Sequence, residues 1–172
     1  MSSDELVDVV DEGDRVVTQA TRREVRARNL RHRSAYILVF NPAGQLFVHR
    51  RVDTKDIYPG FWDVAVGGVL SAGEDYEKGA RRELCEELAI GEVTLRRLFP
   101  LRYEDADNRV LGMVYSCTWP GPVELQASEI AGGEWLDLDV VLERTQRDRF
   151  CPDGLEVLHR YLSKLQAVRD QR

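Results

Sequence analysis

The stretch RRELCEEL, residues 81–88, decides how the rest of the chain is interpreted, because it combines a helical pattern with concentrated negative charge. Glu83, Glu86 and Glu87 stand at positions i, i+3 and i+4, so a helix places their side chains on one face, within an arc of roughly 100°. Like charges at this spacing repel, at about 0.2–0.5 kcal/mol per pair in an isolated helix. The arrangement predicts that a positive charge lies in front of this face.

Reading outward gives GGVLSAGEDYEKGARRELCEELAI, residues 67–90. The spacing of its glycine, glutamate, arginine and aliphatic residues resembles the signature of the Nudix hydrolases; the matching positions are Gly68, Glu74, Arg82, Glu83, Leu84, Glu86, Glu87 and Ile90. The resemblance implies that Glu74 and Arg82 pair to hold the loop against the helix. One position departs from the signature, because its late glycine is Ala89 here. We expect Gly91 to provide the left-handed residue that ends the helix.

The residue types also fit a divalent metal ion. Three carboxylates on one helical face follow a glycine loop that lets backbone oxygens approach closely. Mg²⁺ and Mn²⁺ prefer oxygen ligands and usually keep water and phosphate in their remaining positions. We therefore predict that Mg²⁺, or alternatively Mn²⁺, is bound by Glu83, Glu86, Glu87 and Gly67. The simpler alternative is a glutamate-rich helix face that contacts only solvent.

The resemblance further implies a glutamate from a distant loop that acts as the general base or as an extra metal ligand. Glu129, in ASEIAGGEWLDL, precedes Trp135 by six residues and is our candidate. Glu104 and Glu134 are rival candidates, and an exposed loop acid without a catalytic role is the alternative interpretation of Glu129. The predicted catalytic residues are thus Glu129 together with the three glutamates of the helix.

Cations that could bind a diphosphate are found in HRRVDTK, residues 49–55, before the glycine loop. Strand alternation places Arg50 and Arg51 on opposite sides of the sheet. Arg51 and Lys55 are the predicted phosphate-binding residues, with ordinary surface charge as the alternative. Phe61 and Trp62 could stack on a base, but an aromatic strand before a glycine turn is more typical of a core.

The elements are expected to alternate irregularly, which favours an α+β fold with a mixed β-sheet sandwiched between helices and an N-terminal β-hairpin. The resemblance implies that this is the α/β/α Nudix fold. Thr21, with Glu24 three residues later, matches a helix capping box. The basic segment 22–33 is interpreted as a solvated helix face. Strands are predicted at 6–10, 15–20, 34–40, 45–51, 61–68, 93–103, 109–119 and 134–138, and helices at 22–30, 75–88, 139–147 and 153–168. Residues 34–51 and 93–119 are each expected to form a hairpin.

Length and composition predict one globular domain, residues 1–172. The predicted elements make 1–30 a hairpin and helix extension, and the resemblance implies that 68–90 is the Nudix box. A chain of this length buries roughly 70% of its unfolded surface. The 31% charged and 43% hydrophobic content is ordinary for a soluble protein. The net charge of −6 argues against nucleic-acid and anionic-membrane partners.

The location is expected to be the cytoplasm. No apolar run approaches the roughly 18 residues of a membrane span, and MSSDELVDVVDEGD lacks the features of a signal peptide. Cys85, Cys117 and Cys151 are odd in number and form no zinc or CxxC pattern, which favours a reducing compartment.

A second resemblance concerns the branch of the family that is related to isopentenyl-diphosphate isomerase, through the N-terminal hairpin, RHR, HRR and TKDIYPGFWD. Isomerases of this type place a catalytic cysteine five residues after the tryptophan and a metal-binding histidine two residues later. Counting from Trp62, these positions are Gly67 and Val69, and the Glu-His-Glu run of the isomerases is replaced by EDADNRVLG, residues 104–112. His32 is comparable to an isomerase ligand, but a surface or capping histidine is the simpler interpretation.

These observations predict a Mg²⁺-dependent hydrolase of phosphoanhydride bonds in nucleoside diphosphate derivatives. The favoured substrates are nucleoside 5′-triphosphates and 5′-diphosphates, which would be cleaved to monophosphates by water without a covalent enzyme intermediate. The alternatives are an isomerase-like enzyme and a non-catalytic nucleotide-sensing module with the same fold. The expected partner is a small nucleotide, and the expected assembly is a monomer or a homodimer.

Overall fold

A computed structural model describes residues 3–170 and confirms the mixed sheet between helices and the N-terminal hairpin. Two residues at each end of the predicted domain lie outside this range. The strands are β1 Leu6–Val10, β2 Val16–Thr21, β3 His32–Phe40, β4 Leu46–Arg51, β5 Trp62–Asp63, β6 Val66–Val69, β7 Arg96–Glu104, β8 Arg109–Thr118 and β9 Ile130–Leu136. The helices are α1 Arg22–Ala27, α2 Tyr76–Leu88, α3 Leu138–Thr145 and α4 Pro152–Arg169.

Strand β3 is the centre of the sheet, because it pairs in parallel with β8 and antiparallel with β1 and β6. Its side chains alternate between two hydrophobic clusters, as a strand buried on both faces requires. Ile37 packs with Leu84 and Leu88 of α2 on one face. Leu38 packs with Leu158 of α4 on the other face. This alternation fixes α2 above the middle of the sheet.

Two predicted strand arrangements were wrong in detail. The strands of the predicted 34–51 hairpin pair only at Phe40 and Leu46, because β4 diverges to pair with β5 and β9. The predicted strand 61–68 consists of two strands, since β5 pairs with β4 whereas β6 pairs with β3. The chain thus crosses from one branch of the sheet to the other immediately before the glycine loop. Strand β9 also begins at Ile130, four residues earlier than predicted.

Helix α1 begins with the predicted capping box. The Thr21 hydroxyl accepts a hydrogen bond from the Glu24 backbone N–H at 3.3 Å, and the Glu24 carboxylate accepts one from the Thr21 N–H at 2.9 Å. The prediction that the basic segment is solvated was wrong for its key residues. The side chains of Arg22 and Arg26 are 14% exposed, whereas that of Arg23 is 68% exposed, because one face of α1 packs against the protein and the other faces solvent.

The loop before α2 is fastened to the helix by Arg82. Its guanidinium donates to both carboxylate oxygens of Glu74 at 2.9 Å and to the Val69 backbone carbonyl at 3.2 Å. Asp75 caps the helix by accepting a hydrogen bond from the Lys78 backbone N–H. The Glu74–Arg82 pair implied by the sequence is therefore present, and it sets where the acidic face of α2 lies relative to the loop.

The C-terminus of α2 differs from the expectation, because Ala89 itself adopts the left-handed conformation, with φ 53° and ψ 29°. Its N–H contacts the carbonyls of Cys85 and Leu84. Gly91 is not the left-handed residue, so the departure from the signature changes the side chain and keeps the backbone turn. An alanine in this region carries strain that glycine would lack.

Two further features concern the described residues as a whole. None of the helices within 3–170 is both long and apolar enough for a bilayer crossing. The three cysteines are free thiols, of which Cys85 is exposed and Cys117 and Cys151 are buried.

We expect Ala89→Gly to raise the free energy of unfolding by about 0.5–1 kcal/mol, because it removes the strain of a left-handed alanine. Urea denaturation measures this change. The matched control is Ala27→Gly, at the exposed end of α1, which should lower stability by about 0.5–1 kcal/mol. A loss of stability in both variants would contradict the strain assigned to Ala89.

We expect Arg82→Lys to lower the free energy of unfolding by about 1–3 kcal/mol, because lysine cannot reproduce the two-pronged contact with the Glu74 carboxylate. Arg81→Lys is the control, since the neighbouring Arg81 is 43% exposed and pairs with Glu77 on the helix surface. It should change stability by less than about 0.5 kcal/mol in the same urea titration. Equal losses for the two variants would show that the Arg82 contact is not a structural anchor.

Candidate active site

The acidic face of α2 opens into a polar cavity of about 60 Å³, here called the inner cavity. All seven residues predicted for the site line it: Glu83, Glu86, Glu87, Glu129, Gly67, Arg51 and Lys55. Its remaining charged lining residues are Arg22, Arg26, Asp63 and Asp153. The structure thus brings together side chains from α1, the end of β4, the following loop, α2 and the loop before β9.

Two of the three helix glutamates are buried. Glu83 and Glu87 are 7% and 6% exposed, whereas Glu86 lies at the open side of the cavity. Arg82 donates to Glu83 at 2.8 Å and to Glu86 at 3.2 Å from the same nitrogen, Nη1. Burial, and then the negative charge of Glu83, raises the pKa of Glu87 well above its ordinary range. Burial also raises the pKa of Glu83.

The glycine turn is required by the close approach of backbone and carboxylate. Gly67 has φ +142°, and a Cβ added there would lie 2.1 Å from the Ala35 carbonyl oxygen. A Cβ on Gly68 would lie 2.9 Å from Oε1 of Glu83. The Gly67 N–H faces the Glu87 carboxylate at 3.4 Å. Only glycines therefore allow this strand end to lie directly against the acidic face.

The donor set fits a hard divalent cation by its chemistry. Within the described residues, no three acidic, histidine or cysteine side chains already converge on one point as metal ligands, because Glu83 and Glu86 contact Arg82 instead. Glu83 and Glu87 are nevertheless buried carboxylates that repel each other, and nearby positive charge stabilises their ionised forms. Carboxylate oxygens are the ligands that Mg²⁺ and Mn²⁺ prefer.

Glu129 lies in the inner cavity, whereas its two rivals do not line it. Its carboxylate forms an ion pair with the Lys55 ammonium, and both side chains are largely buried. Burial, together with the charge of Arg51, lowers the pKa of Lys55 to about 8. Glu104 pairs with Arg31 and Glu134 pairs with Arg144 at other parts of the surface. Position therefore favours Glu129 among the three candidates.

Arg50 and Arg51 point in opposite directions, as strand alternation predicts. Arg50 is 45% exposed and pairs with Asp53. Arg51 lines the inner cavity and donates from Nη2 to the Ile57 carbonyl at 3.2 Å. Its Nε is buried and has no hydrogen-bond partner among the described residues. A buried donor without a partner is unfavourable, which suits a group that awaits a ligand.

Two pairs of site residues were missed by the sequence analysis. Arg22 and Arg26 were visible as a charge run, but nothing local shows that α1 packs beside the Nudix box. No sequence pattern indicates that Asp63 and Asp153 belong to the site, because their position there depends on how β5 and α4 pack. Asp153 accepts hydrogen bonds from the Tyr36 hydroxyl at 2.8 Å and from Asn108 Nδ2 at 3.3 Å, and burial raises the pKa of both aspartates.

The remaining candidates lie elsewhere. The Trp62 ring is covered by the guanidinium of Arg144 at 4.0 Å, the Phe61 ring is covered by Arg149 at 4.9 Å, and neither aromatic lines the inner cavity. His32 is not a surface histidine: it is 1% exposed, its Nδ1 is 2.9 Å from the Leu30 carbonyl, and burial lowers its pKa to about 3.

Comparison with known proteins gives consistent matches. The profile of the NUDIX domain matches residues 30–161. The uncharacterized Nudix hydrolase PA4841 of Pseudomonas aeruginosa is 41% identical over 161 residues, which cover 94% of this chain and 95% of the relative. The uncharacterized Nudix hydrolase YfcD of Escherichia coli K12 is 39% identical over 164 residues, which cover 95% of this chain and 90% of the relative.

Solved structures agree with these relatives. The crystal structure of DR0079 from Deinococcus radiodurans superposes with a TM-score of 0.81 at 31% identity, over 91% of this chain and 98% of that one. The NUDIX domain of Shewanella oneidensis NrtR, solved with ADP ribose, has a TM-score of 0.63 at 18% identity over 85% of this chain and 99% of that one, which shows the common fold. The chain therefore belongs to the Nudix hydrolase family, whose members hydrolyse derivatives of nucleoside diphosphates and generally use a divalent metal ion.

Proposed function

We propose that this protein hydrolyses nucleoside 5′-triphosphates and 5′-diphosphates to nucleoside monophosphates in a Mg²⁺-dependent reaction. The observation that carries the proposal is that a buried acidic face and a cationic wall meet in one small cavity. A volume of about 60 Å³ admits roughly four water-sized spheres. It suits phosphate groups and excludes a nucleoside, so the phosphates lie inside and the nucleoside outside.

Glu83, Glu86, Glu87 and the Gly67 backbone oxygen are the residues that would hold the metal ion. When bound, a divalent ion of this kind polarises a phosphoryl oxygen and lowers the pKa of an attacking water. Arg82 positions two of these carboxylates, because a single nitrogen contacts both Glu83 and Glu86. The glycine turn keeps the opposite wall close to them.

The other charged residues would act on the substrate and the water. Arg51 and Lys55 would bind phosphate oxygens, which stabilises negative charge that develops as the anhydride bond breaks. Glu129 would accept the proton of the attacking water. The ion pair with Lys55 holds the Glu129 carboxylate at the inner cavity, where a general base must be positioned. Direct attack by water requires no covalent enzyme intermediate.

Isomerisation of a prenyl diphosphate is disfavoured by the same cavity. Positions 67 and 69 line it, but they hold glycine and valine instead of the cysteine and histidine that the isomerase reaction needs. Cys85, Cys117 and Cys151 are not among the residues that line the inner cavity in the described range. A non-catalytic sensor is disfavoured because a pure binding module does not need three metal-binding carboxylates.

One experiment separates these functions. The purified protein is incubated with Mg²⁺ and a panel of nucleoside di- and triphosphates, nucleotide sugars, coenzyme A and isopentenyl diphosphate, and the products are identified by chromatography. Release of a nucleoside monophosphate is the expected result. Dimethylallyl diphosphate would indicate the isomerase, and binding without turnover would indicate the sensor.

We expect Glu86→Gln and Glu87→Gln each to raise the Mg²⁺ concentration that gives half-maximal activity, because each removes one negatively charged oxygen ligand. Steady-state rates across a Mg²⁺ titration measure the effect. Cys85→Ser is the control on the same helix, since Cys85 is exposed and lies outside the inner cavity. Loss of all turnover in folded Cys85→Ser would contradict the proposed mechanism.

We expect Glu129→Gln to slow turnover by about 10²–10⁴-fold, the usual contribution of a general base. The matched control is Glu134→Gln, because Glu134 is a nearby glutamate whose ion pair with Arg144 lies outside the inner cavity. Single-turnover measurements at saturating Mg²⁺ compare the two variants. An unchanged rate for Glu129→Gln would remove this residue from the mechanism.

A further inference from the structure

We propose that Arg22 and Arg26 of α1 bind the terminal phosphate of the substrate and thereby favour nucleotides with a free terminal phosphate over diphosphate diesters. The inference rests on the proposed hydrolysis of nucleotides and identifies residues that would determine its specificity. Both arginines precede residues 30–161, the part of the chain that matches the family profile. They therefore lie outside the part of the chain that the family profile describes.

The two arginines stand where two cavities meet. Both line the inner cavity together with Arg51 and Lys55. Both also line a neighbouring, more open cavity of about 340 Å³, here called the outer cavity, whose other lining residues are Ser3, Arg23, Thr54, Lys55, Asp56, Ser128 and Glu129. Any phosphate chain that extends from the acidic face toward the outer cavity must pass these guanidinium groups.

Their positive charge is only partly compensated by the protein. Asp56 accepts hydrogen bonds from Arg22 at 3.1 and 3.3 Å, and the same carboxylate lies 3.5 Å from Arg26 Nε. Among the described residues, Asp56 provides the only carboxylate within 4.0 Å of either guanidinium. One carboxylate shared by two guanidinium groups leaves one positive charge available.

The hydrogen-bonding capacity of Arg26 is also incompletely used. Its Nη1 donates to Asn108 Oδ1 at 3.0 Å, whereas its buried Nε lies 3.5 Å from the Asp56 carboxylate and forms no hydrogen bond among the described residues. The buried Nε of Arg51 is in the same condition on the wall of the same cavity. Burial of such groups is unfavourable unless a partner is supplied. An anion with several free oxygens supplies partners to both guanidinium groups at once.

The chemistry of this wall distinguishes a terminal phosphate from an esterified one. A terminal phosphate, which has a single substituent, carries a charge of about −1.5 to −2 at pH 7 and presents three free oxygens. A phosphate inside a diphosphate diester has fewer free oxygens and a single charge, and its second organic group needs room. Arg22 and Arg26 offer extra donors and occupy that room. They therefore favour binding of a nucleotide with a terminal phosphate and hinder binding of a diphosphate diester.

Contacts within the protein hold α1 and its arginines in place without a bound ligand. The capping box fixes the start of the helix, and the Arg26–Asn108 hydrogen bond ties it to the segment before β8. Phosphate binding would therefore meet arginines that are already in place, which lowers the entropy lost on binding.

The test compares two substrates of one nucleoside, its 5′-diphosphate and its diphosphate sugar. We expect Arg22→Ala and Arg26→Ala to lower kcat/KM for the diphosphate by about 10–100-fold, the effect of losing a charged hydrogen bond. The kcat/KM for the diphosphate sugar should be unchanged or higher, because this ligand does not use the extra donors and the shorter side chain frees room for its second organic group. Arg28→Ala is the control, since Arg28 is exposed at the end of α1 and lines neither cavity.

A binding measurement without metal separates this inference from the proposed function. Inorganic pyrophosphate is titrated into the protein in the presence of EDTA by calorimetry, and Arg22→Ala and Arg26→Ala should bind it about tenfold more weakly than Arg28→Ala. Thermal unfolding verifies that each variant is folded. If Arg26→Ala does not fold, Arg26→Lys keeps the charge and loses the planar fork, and it should show a smaller loss.

The possible failures give different results. Normal hydrolysis with equal losses for both substrates, or with no loss in either arginine variant, would overturn the terminal-phosphate inference and leave the hydrolase intact. Absence of turnover with every nucleotide would overturn the proposed function, while the pyrophosphate titration would still report whether the arginines bind phosphate.

Discussion

The constraint on which the structure depends is the burial of like charge on one face of α2. Glu83 and Glu87 lie under a glycine turn that leaves no space for a side chain, so their carboxylates cannot move apart into water. Repulsion and desolvation make this arrangement unfavourable unless positive charge approaches the face. Arg82 supplies part of that charge from the helix itself and also binds Glu74, which couples the position of the loop to the charge of the helix.

The remaining positive charge comes from distant parts of the chain. Four cations and six carboxylates line the inner cavity in the described residues, which corresponds to a net charge of −2 if every group is ionised. This deficit has the magnitude of one divalent cation. A bound diphosphate then brings further negative charge. It would meet Arg51, whose buried Nε has no hydrogen-bond partner among the described residues, and the two arginines of α1, which share Asp56. The acidic face of α2 and the arginines that line the cavity are thus complementary parts of one charge balance.

Local features of the site were predictable from sequence and tertiary ones were not. The helix face of Glu83, Glu86 and Glu87, the Glu74–Arg82 pair and the Thr21 capping box depend on intervals of three to eight residues, which a helix or turn converts directly into proximity. The burial of the basic segment depends instead on how α1 packs beside residues that are far away in the chain. The same limit applies to β3 and β4, which were expected to pair along their length but find other partners.

Asp63 and Asp153 explain how the cavity can be lined by more carboxylates than cations. Burial raises the pKa of both groups, and the charge of Asp153 raises that of Asp63 further, so ionising both at once is unfavourable. A proton retained by this pair makes the lining less negative without another cation. Tyr36 and Asn108 donate hydrogen bonds to Asp153 and stabilise its ionised form, which favours Asp63 as the protonated partner. Because Asn108 also accepts from Arg26, the acid pair is connected to the arginine wall through one amide side chain. The charge state of the acid pair and the position of Arg26 in the cavity wall are therefore parts of one hydrogen-bonded network.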